Sequence, residues 1–234
     1  MAVVAFIPAR SGSTRIKNKN IKKLGKYPLF FWTVLSAIKS NAFDQIIFSS
    51  DSVKYFRILQ SELKKINIKK KTNISFDKRE KKNARKKTKI FDYLRGDFLK
   101  KFEFKPNDIL VMMLPTCPLR KISTINECLK LSKKRKLNVF TVTTYDYHVS
   151  FALDVKKDLK WSPLMKSSPM VTGNTQSQSQ KKFFYPTDSV DCIFVKNLKK
   201  MKTVYDKGLC YITEKKEAID IDDKYDFELC KKLI

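Results

Sequence analysis

The sequence predicts an α/β fold: a mostly parallel central sheet with helices on both faces. Two observations predict it. Short apolar runs alternate along the chain with longer segments of helical period, the pattern of buried strands and their covering helices. The early runs also stop at polar clusters rich in Ser, Asp, Pro or Arg. In such a sheet, ligands gather outside the carboxyl ends of the strands, so these clusters are where chemistry is expected.

Val3 to Ile7 is continuously apolar and reads as a buried strand. It enters a small basic loop, Ala9-Arg10-Ser11-Gly12-Ser13-Thr14-Arg15-Ile16-Lys17-Asn18-Lys19-Asn20. Pro28 to Ile38 then reads as a helix with proline near its first turn. Strand, cationic Gly/Ser loop and helix is an arrangement that holds phosphates: free backbone N–H groups face the anion while Arg and Lys neutralise it. The loop has neither the GK[ST] ending of a P-loop nor GxGxxG spacing, so a solvated turn is the competing reading. The order of residues favours the anion cradle. Arg10 directly follows the strand, Gly12 permits close backbone approach, Ser11 and Ser13 add hydroxyls, and Lys19 and Asn20 return before the next apolar residue.

Gln45 to Ser49 reads as a second strand, with Asp51 or Ser52 as cap for a helix through Leu63. A short strand is expected within the basic stretch Ile66 to Phe76, and Ile90 to Phe104 has helical period. Asp108 to Leu114 is a strongly apolar central strand stopped by Pro115-Thr116-Cys117-Pro118-Leu119-Arg120. A helix from about Thr124 to Lys133 and a strand from Val139 to Thr144 follow. Residues 156–186, with Pro163, Pro169 and the Gln/Ser run Thr175–Gln180, break the rhythm and read as an arm or dimer-contact excursion. Asp191 to Val195 and Leu209 to Thr213 return as strands of the same sheet, so the expectation is a single domain over 1–234.

Composition narrows the class. An apolar share of 42% is ample for a core and excludes global disorder. No apolar run approaches the roughly 20 residues of a membrane span, and residues 1–7 lack the charged start and cleavage site of a signal peptide. Five cysteines without CxxC or zinc-site spacing fit reduced thiols, and a cytoplasmic protein is expected. The net charge of +27 reads either as a footprint for nucleic acid or an anionic membrane, or as a lysine-rich surface throughout. The lysines are spread over the chain, and no RNP-like motif, zinc finger or recognition helix accompanies them. The second reading is preferred, nucleic-acid binding is not expected, and the charge can still speed encounter with a polyanionic nucleotide.

A second constellation lies near the end, Glu217-Ala218-Ile219-Asp220-Ile221-Asp222-Asp223-Lys224-Tyr225-Asp226-Phe227. In an extended segment Asp220 and Asp222 point to one side. Paired hard oxygen ligands suit Mg²⁺ shared with substrate phosphates. The competing reading makes Asp222 or Asp223 the cap of a closing helix, which leaves Asp220 unexplained.

Ile7 to Leu29, IPARSGSTRIKNKNIKKLGKYPL, resembles the opening signature of the CMP-sugar synthetases, the acylneuraminate cytidylyltransferases. IIFSSDS (Ile46 to Ser52), LPTCPLR (Leu114 to Arg120) and AIDIDDKYDFELC (Ala218 to Cys230) follow in that family's order, so the resemblance covers nearly the whole chain. It implies a Rossmann-like nucleotide-diphospho-sugar transferase fold, a homodimer joined by an extended arm, and a reaction of CTP with an acidic nine-carbon 2-keto sugar to give a CMP-sugar and pyrophosphate. Carried over by motif, Arg10, Ser13 and Lys19 contact the triphosphate, and Ser11, Gly12, Arg15, Asn20 and Arg120 belong with them to the nucleotide site. Arg10 and Lys19 are the catalytic cations, and Asp220 and Asp222 bind Mg²⁺. Alternatives are a nucleotidyltransferase for an eight-carbon keto sugar acid or another sugar, or a non-catalytic member that binds nucleotide or nucleic acid.

The chain departs from the family at several points. Leu114 replaces a glutamine, Cys117 a serine, and Thr14 a lysine for which Arg15 is the substitute; Cys117 is not expected to act as a nucleophile. Asn83 to Ile90 replaces small polar and acidic residues that help to read the base. Tyr185 to Asp191 replaces the Tyr-Arg-Pro-Asn-Gly-Ala region that touches the sugar. His148, the one histidine in the sequence, falls just after a strand, near the expected edge of the site, where a structural role competes with a sugar contact.

Overall fold

The computed structural model describes residues 1–66, 73–85, 87–176, 178 and 180–234. Strand β1, Val3–Pro8, leads through the basic loop to a small hairpin, β2 (Lys23–Leu24) and β3 (Tyr27–Pro28), and then helix α1, Leu29–Ser40. Strand β4, Gln45–Ser50, precedes helix α2, Val53–Lys64. Ser52 is the N-cap of α2 as expected, yet its side chain makes no capping bond. Asp51 does not cap either, because its carboxylate is turned back onto Ser11.

The strand expected around Ile66 to Phe76 is β5, Ile74–Lys78, and the part of that expectation on 67–72 lies outside the described residues. The expected helix Ile90 to Phe104 is broken into α3 (Ile90–Tyr93), a π turn (Leu94–Phe98) and α4 (Leu99–Lys101). Gly96 lowers helical propensity there. The wider turn brings Tyr93 and Phe98, five residues apart, to a ring separation of 6.1 Å, and Phe98 also packs on Phe102 and Phe104. Burying these rings wins over regular α period.

Strand β6 (Ile109–Met112), helix α5 (Ile122–Arg135) and strand β7 (Asn138–Thr144) follow. The chain then leaves the sheet. A hairpin of β8 (Leu153–Val155) and β9 (Trp161–Pro163) and a short helix α6 (Pro169–Thr172) make up the excursion, which exposes Val155, Leu159, Trp161, Leu164 and Val171. The return strand β10, Phe184–Phe194, starts earlier than its apolar end suggested. A register shift between Pro186 and Asp191, with Asp188 at φ 51°, interrupts its alternation and hid its first half. Helix α7 (Val195–Leu198), strand β11 (Gly208–Ile212) and helix α8 (Lys224–Leu233) complete the chain.

The main sheet runs β11-β7-β10-β6-β1-β4-β5. All its pairings are parallel except those of β10, which is antiparallel to β6 and β7. Alternate residues of β1 feed two cores. Val3, Ala5 and Ile7 pack with α1, α2 and α5 on one face, while Val4 and Phe6 pack with Phe91, Leu94 and Phe98 on the other. Among the described residues no helix is long and apolar enough to cross a membrane. The order turns at β1, flanked by β4 and β6, and its carboxyl end is the topological switch point where a ligand crevice is expected.

Asp191 on β10 is buried, and neither carboxylate oxygen has a partner. Burial, and then the charge of Asp188, raise its pKa well above 3.8. The folded state therefore keeps a proton that the unfolded chain releases, and this stabilising contribution is lost as pH rises from about 3.8 through the folded pKa. Thermal melts of wild type and Asp191→Asn from about pH 4 to about pH 8 should show the variant gaining on wild type as pH rises. A gap independent of pH would refute the assignment.

Candidate active site

A cleft of about 290 Å³ opens beyond the carboxyl end of β1, between the basic loop, the Pro115–Thr116 turn after β6 and the segment after β5. Arg10, Ser13, Arg15, Lys19 and Asn20 of the loop line it, as does Asp222. The chain ends meet because of a small apolar cluster. Ile16 from the loop and Ile221 from the Ile-Asp-Ile-Asp segment are buried together with Leu24, Leu29, Phe227 and Cys230. The Ile221 N–H donates to Thr116 O at 2.8 Å, which joins the third motif to the same knot.

Packing Ile221 leaves Asp222 on the cleft wall, whereas Asp220 is not among the residues that line it. Lys19 Nζ donates to Ile221 O at 2.5 Å and lies 3.5 Å from Asp222 Oδ1. The Arg15 guanidinium pairs with the same oxygen at 3.0 Å. Asp220 takes a hydrogen bond from Thr116; desolvation raises its pKa, Thr116 opposes the rise, and the neighbouring Asp222 charge adds to it. The helix cap is Asp223, which forms a reciprocal capping box with Asp226. Capping therefore accounts for neither Asp220 nor Asp222. Asn20, only 5% exposed, donates its amide to Arg10 O at 2.9 Å, while its Oδ1 is buried without a partner.

Ser11, Gly12 and Arg120 do not line this cleft. The Ser11 N–H and hydroxyl both donate to Asp51, at 2.8 and 2.6 Å, so Ser11 anchors the loop to the end of β4 instead of offering donors to an anion. Gly12 avoids the left-handed region, and a Cβ there would meet nothing within 4 Å, so no close backbone approach within the protein requires glycine. Arg120 is 4% exposed and fully engaged. Its Nε donates to Ser189 O at 2.6 Å, and its two terminal nitrogens to Thr33 Oγ1 and Leu114 O at 2.9 Å each. Burial lowers its pKa to about 10. It ties the loop after β6 to α1 and β10.

Cys117 is buried with its Sγ 3.3 Å from Thr187 O, and burial pushes its pKa up, so it remains a thiol. His148 has Nδ1 2.7 Å from Ser150 Oγ and Nε2 2.8 Å from Lys181 O. It lines a separate hollow with Tyr145 and Phe183 beside the excursion.

Arg79, Asn83 and Arg85 also line the cleft and were not among the expected nucleotide contacts. Arg79, 4% exposed, donates one terminal nitrogen to Ser49 O at 3.2 Å and leaves Nε without a partner. Burial lowers its pKa, against the pull of Asp51 and Asp77. The signal in the sequence was the spacing of Asp77 and Arg79 at a strand end, which places both on one side. Asn83 is tied to Asp97 at 2.8 Å.

Residues 4–90 match the family model described as cytidylyltransferase. The chain is 25% identical over 232 residues to an N-acylneuraminate cytidylyltransferase of Escherichia coli O18:K1:H7, covering 97% of this chain and 51% of that protein. It is 23% identical to a CMP-N,N'-diacetyllegionaminic acid synthase of Legionella pneumophila, covering 100% and 97%. The chain thus spans about half the length of the first relative and nearly all of the second. Among solved structures, a CMP:2-keto-3-deoxy-manno-octonic acid synthetase complexed with CTP aligns with a TM-score of 0.67 at 12% identity, covering 100% of this chain and 98% of the other. A 4-diphosphocytidyl-2C-methyl-D-erythritol synthase aligns with a TM-score of 0.71 at 7% identity, covering 99% and 98%. These two show that the chain shares their Rossmann-like fold. Over nearly its whole length the chain is similar to CMP-sugar synthetases, whose motifs it resembles in order.

Proposed function

We propose that this chain is a cytidylyltransferase joining CTP to an acidic nine-carbon 2-keto sugar, with release of pyrophosphate. The observation that carries the reading is the juxtaposition of Arg15 and Lys19 with Asp222, which makes one site from the two motifs at opposite ends of the chain. In the reaction, the sugar's anomeric hydroxyl attacks the α-phosphorus in line and the bond to pyrophosphate breaks. Catalysis is then mainly positioning and charge neutralisation. Arg10 and Lys19 stabilise negative charge on the departing pyrophosphate through charge-assisted hydrogen bonds. Exposed apolar residues of the excursion support a homodimer, and the free thiols a reducing cytoplasm.

The donor set also fits Mg²⁺. Asp220 and Asp222 offer hard oxygens, and no group of three or more metal-ligating side chains occurs among the described residues. Two carboxylates suit an ion that completes its shell with water and substrate phosphates. Bound there, Mg²⁺ supplies Lewis-acid polarisation of a phosphoryl oxygen. Asp222→Ala and Asp220→Ala should each lower pyrophosphate release about 10²-fold or more, and calorimetric titration with Mn²⁺ and CTP should show weakened metal binding. Unchanged activity and metal affinity would sink the metal assignment.

A non-catalytic nucleotide binder is the second reading, favoured by the Arg15–Asp222 pair that already neutralises one metal carboxylate. Pyrophosphate release measured across four nucleoside triphosphates and eight- and nine-carbon keto sugar acids separates the two. Turnover with CTP and a nine-carbon acid is expected; binding without turnover would select the second reading.

A further inference from the structure

Behind Arg79 lies a buried polar network that the proposed chemistry does not use. The Asp77 carboxylate, 2% exposed, accepts from Ser49 Oγ at 2.6 Å, the Tyr93 hydroxyl at 2.6 Å and Lys101 Nζ at 3.1 Å. Lys101 also donates to Lys78 O at 2.9 Å and lies 3.3 Å from the Tyr93 hydroxyl. Two members of this network reach Arg79. Ser49 accepts from its guanidinium through the backbone oxygen, and the Tyr93 ring centroid lies 5.8 Å from its Cζ. Tyr93 immediately precedes the π turn, a distortion found frequently at functional sites.

Core stability does not call for such an arrangement, since buried ionic groups are often replaced by apolar residues without loss. Its mechanical effect is specific. The phenol is held at its hydroxyl by Asp77 and Lys101, so its ring is a fixed platform beside the guanidinium. Arg79 is buried yet keeps an Nε–H with no acceptor in the protein, a costly state unless a ligand completes it. The wall around it includes Ala84, Ile90 and Leu114, apolar surface suited to a base and not to a phosphate.

We infer that Tyr93, anchored by Asp77 and Lys101, is a positioning residue that holds Arg79 toward an acceptor on the nucleoside half of the bound nucleotide. The loop cations serve the phosphate half. This inference rests on the nucleotide reading above, and Tyr93 itself touches no substrate.

The test is a double-mutant cycle on the full chain, Tyr93→Phe and Arg79→Lys, with calorimetric affinities for CTP and for inorganic tripolyphosphate. Tyr93→Phe removes one hydroxyl and keeps the ring. It should weaken CTP about fivefold, Arg79→Lys about tenfold, and the double variant no more than the larger single loss. In Tyr93→Phe, tripolyphosphate affinity and kcat at saturating CTP should stay within about twofold of wild type, which a general loss of structure would not allow. Unchanged CTP affinity in Tyr93→Phe, losses that multiply in the double variant, or an equal loss for tripolyphosphate would each overturn the inference. If wild type prefers another nucleoside triphosphate, the cytidylyl assignment falls and the same cycle, read on the preferred nucleotide, still decides the role of Tyr93.

Discussion

Lys19→Ala is expected to lower kcat/KM for pyrophosphate release by about 10³-fold, equivalent to about 4 kcal/mol of transition-state stabilisation. Lys19 is largely shielded, with its ammonium held between Ile221 O and Asp222, so it is pre-placed for developing charge on a leaving group. Losing its bond to the Ile221 carbonyl costs about 1 kcal/mol of stability, far less than the catalytic loss. Steady-state kinetics with CTP beside a thermal melt separates the two effects. Lys19→Arg should recover little, because a planar fork cannot reproduce a compact ammonium in that gap. Activity within tenfold of wild type would remove Lys19 from the catalytic assignment.

Arg120→Ala should be the large stability mutant, losing roughly 3–5 kcal/mol. Its guanidinium satisfies Ser189 O, Leu114 O and Thr33 Oγ1 inside the fold, and its removal takes a donor from each, with only Leu114 O keeping the Cys117 N–H and the Thr33 hydroxyl. The positive charge also faces the buried Asp191. Chemical denaturation measures the loss, and Arg120→Lys should recover only part of it since one ammonium cannot span three directions. A variant with near wild-type stability and lost CTP affinity would assign Arg120 to the nucleotide.

These two residues mark what was legible. Arg10, Ser13, Arg15, Lys19 and Asn20 were readable as cleft residues because they are adjacent in sequence, between a strand and a helix whose apolar period forces the loop to the sheet's edge. Arg120 occupies an equally suggestive motif and points the other way. Motif adjacency places the backbone of a loop near a ligand, but it does not say whether a long side chain turns outward or back into the core. Ser11 illustrates the same point at short range, since Asp51, forty residues away, takes both of its donors. Arg79 shows the reverse, a cleft residue in a lysine-rich stretch whose one local mark is its two-residue spacing from Asp77.

The strand–loop–helix opening, the alternating elements and the Ile-Asp-Ile-Asp pattern are local matters of apolar period and side-chain parity, and the sequence by itself determined them. Tertiary structure alone decided that Ile16 and Ile221 share one small core, which turns a basic loop and an acidic tail into a single site. It also decided which cations are free. That depends on the carbonyls and carboxylates that distant elements bring within about 3 Å. Hydrogen-bond satisfaction is a property of the packed molecule, and no spacing along the chain encodes it.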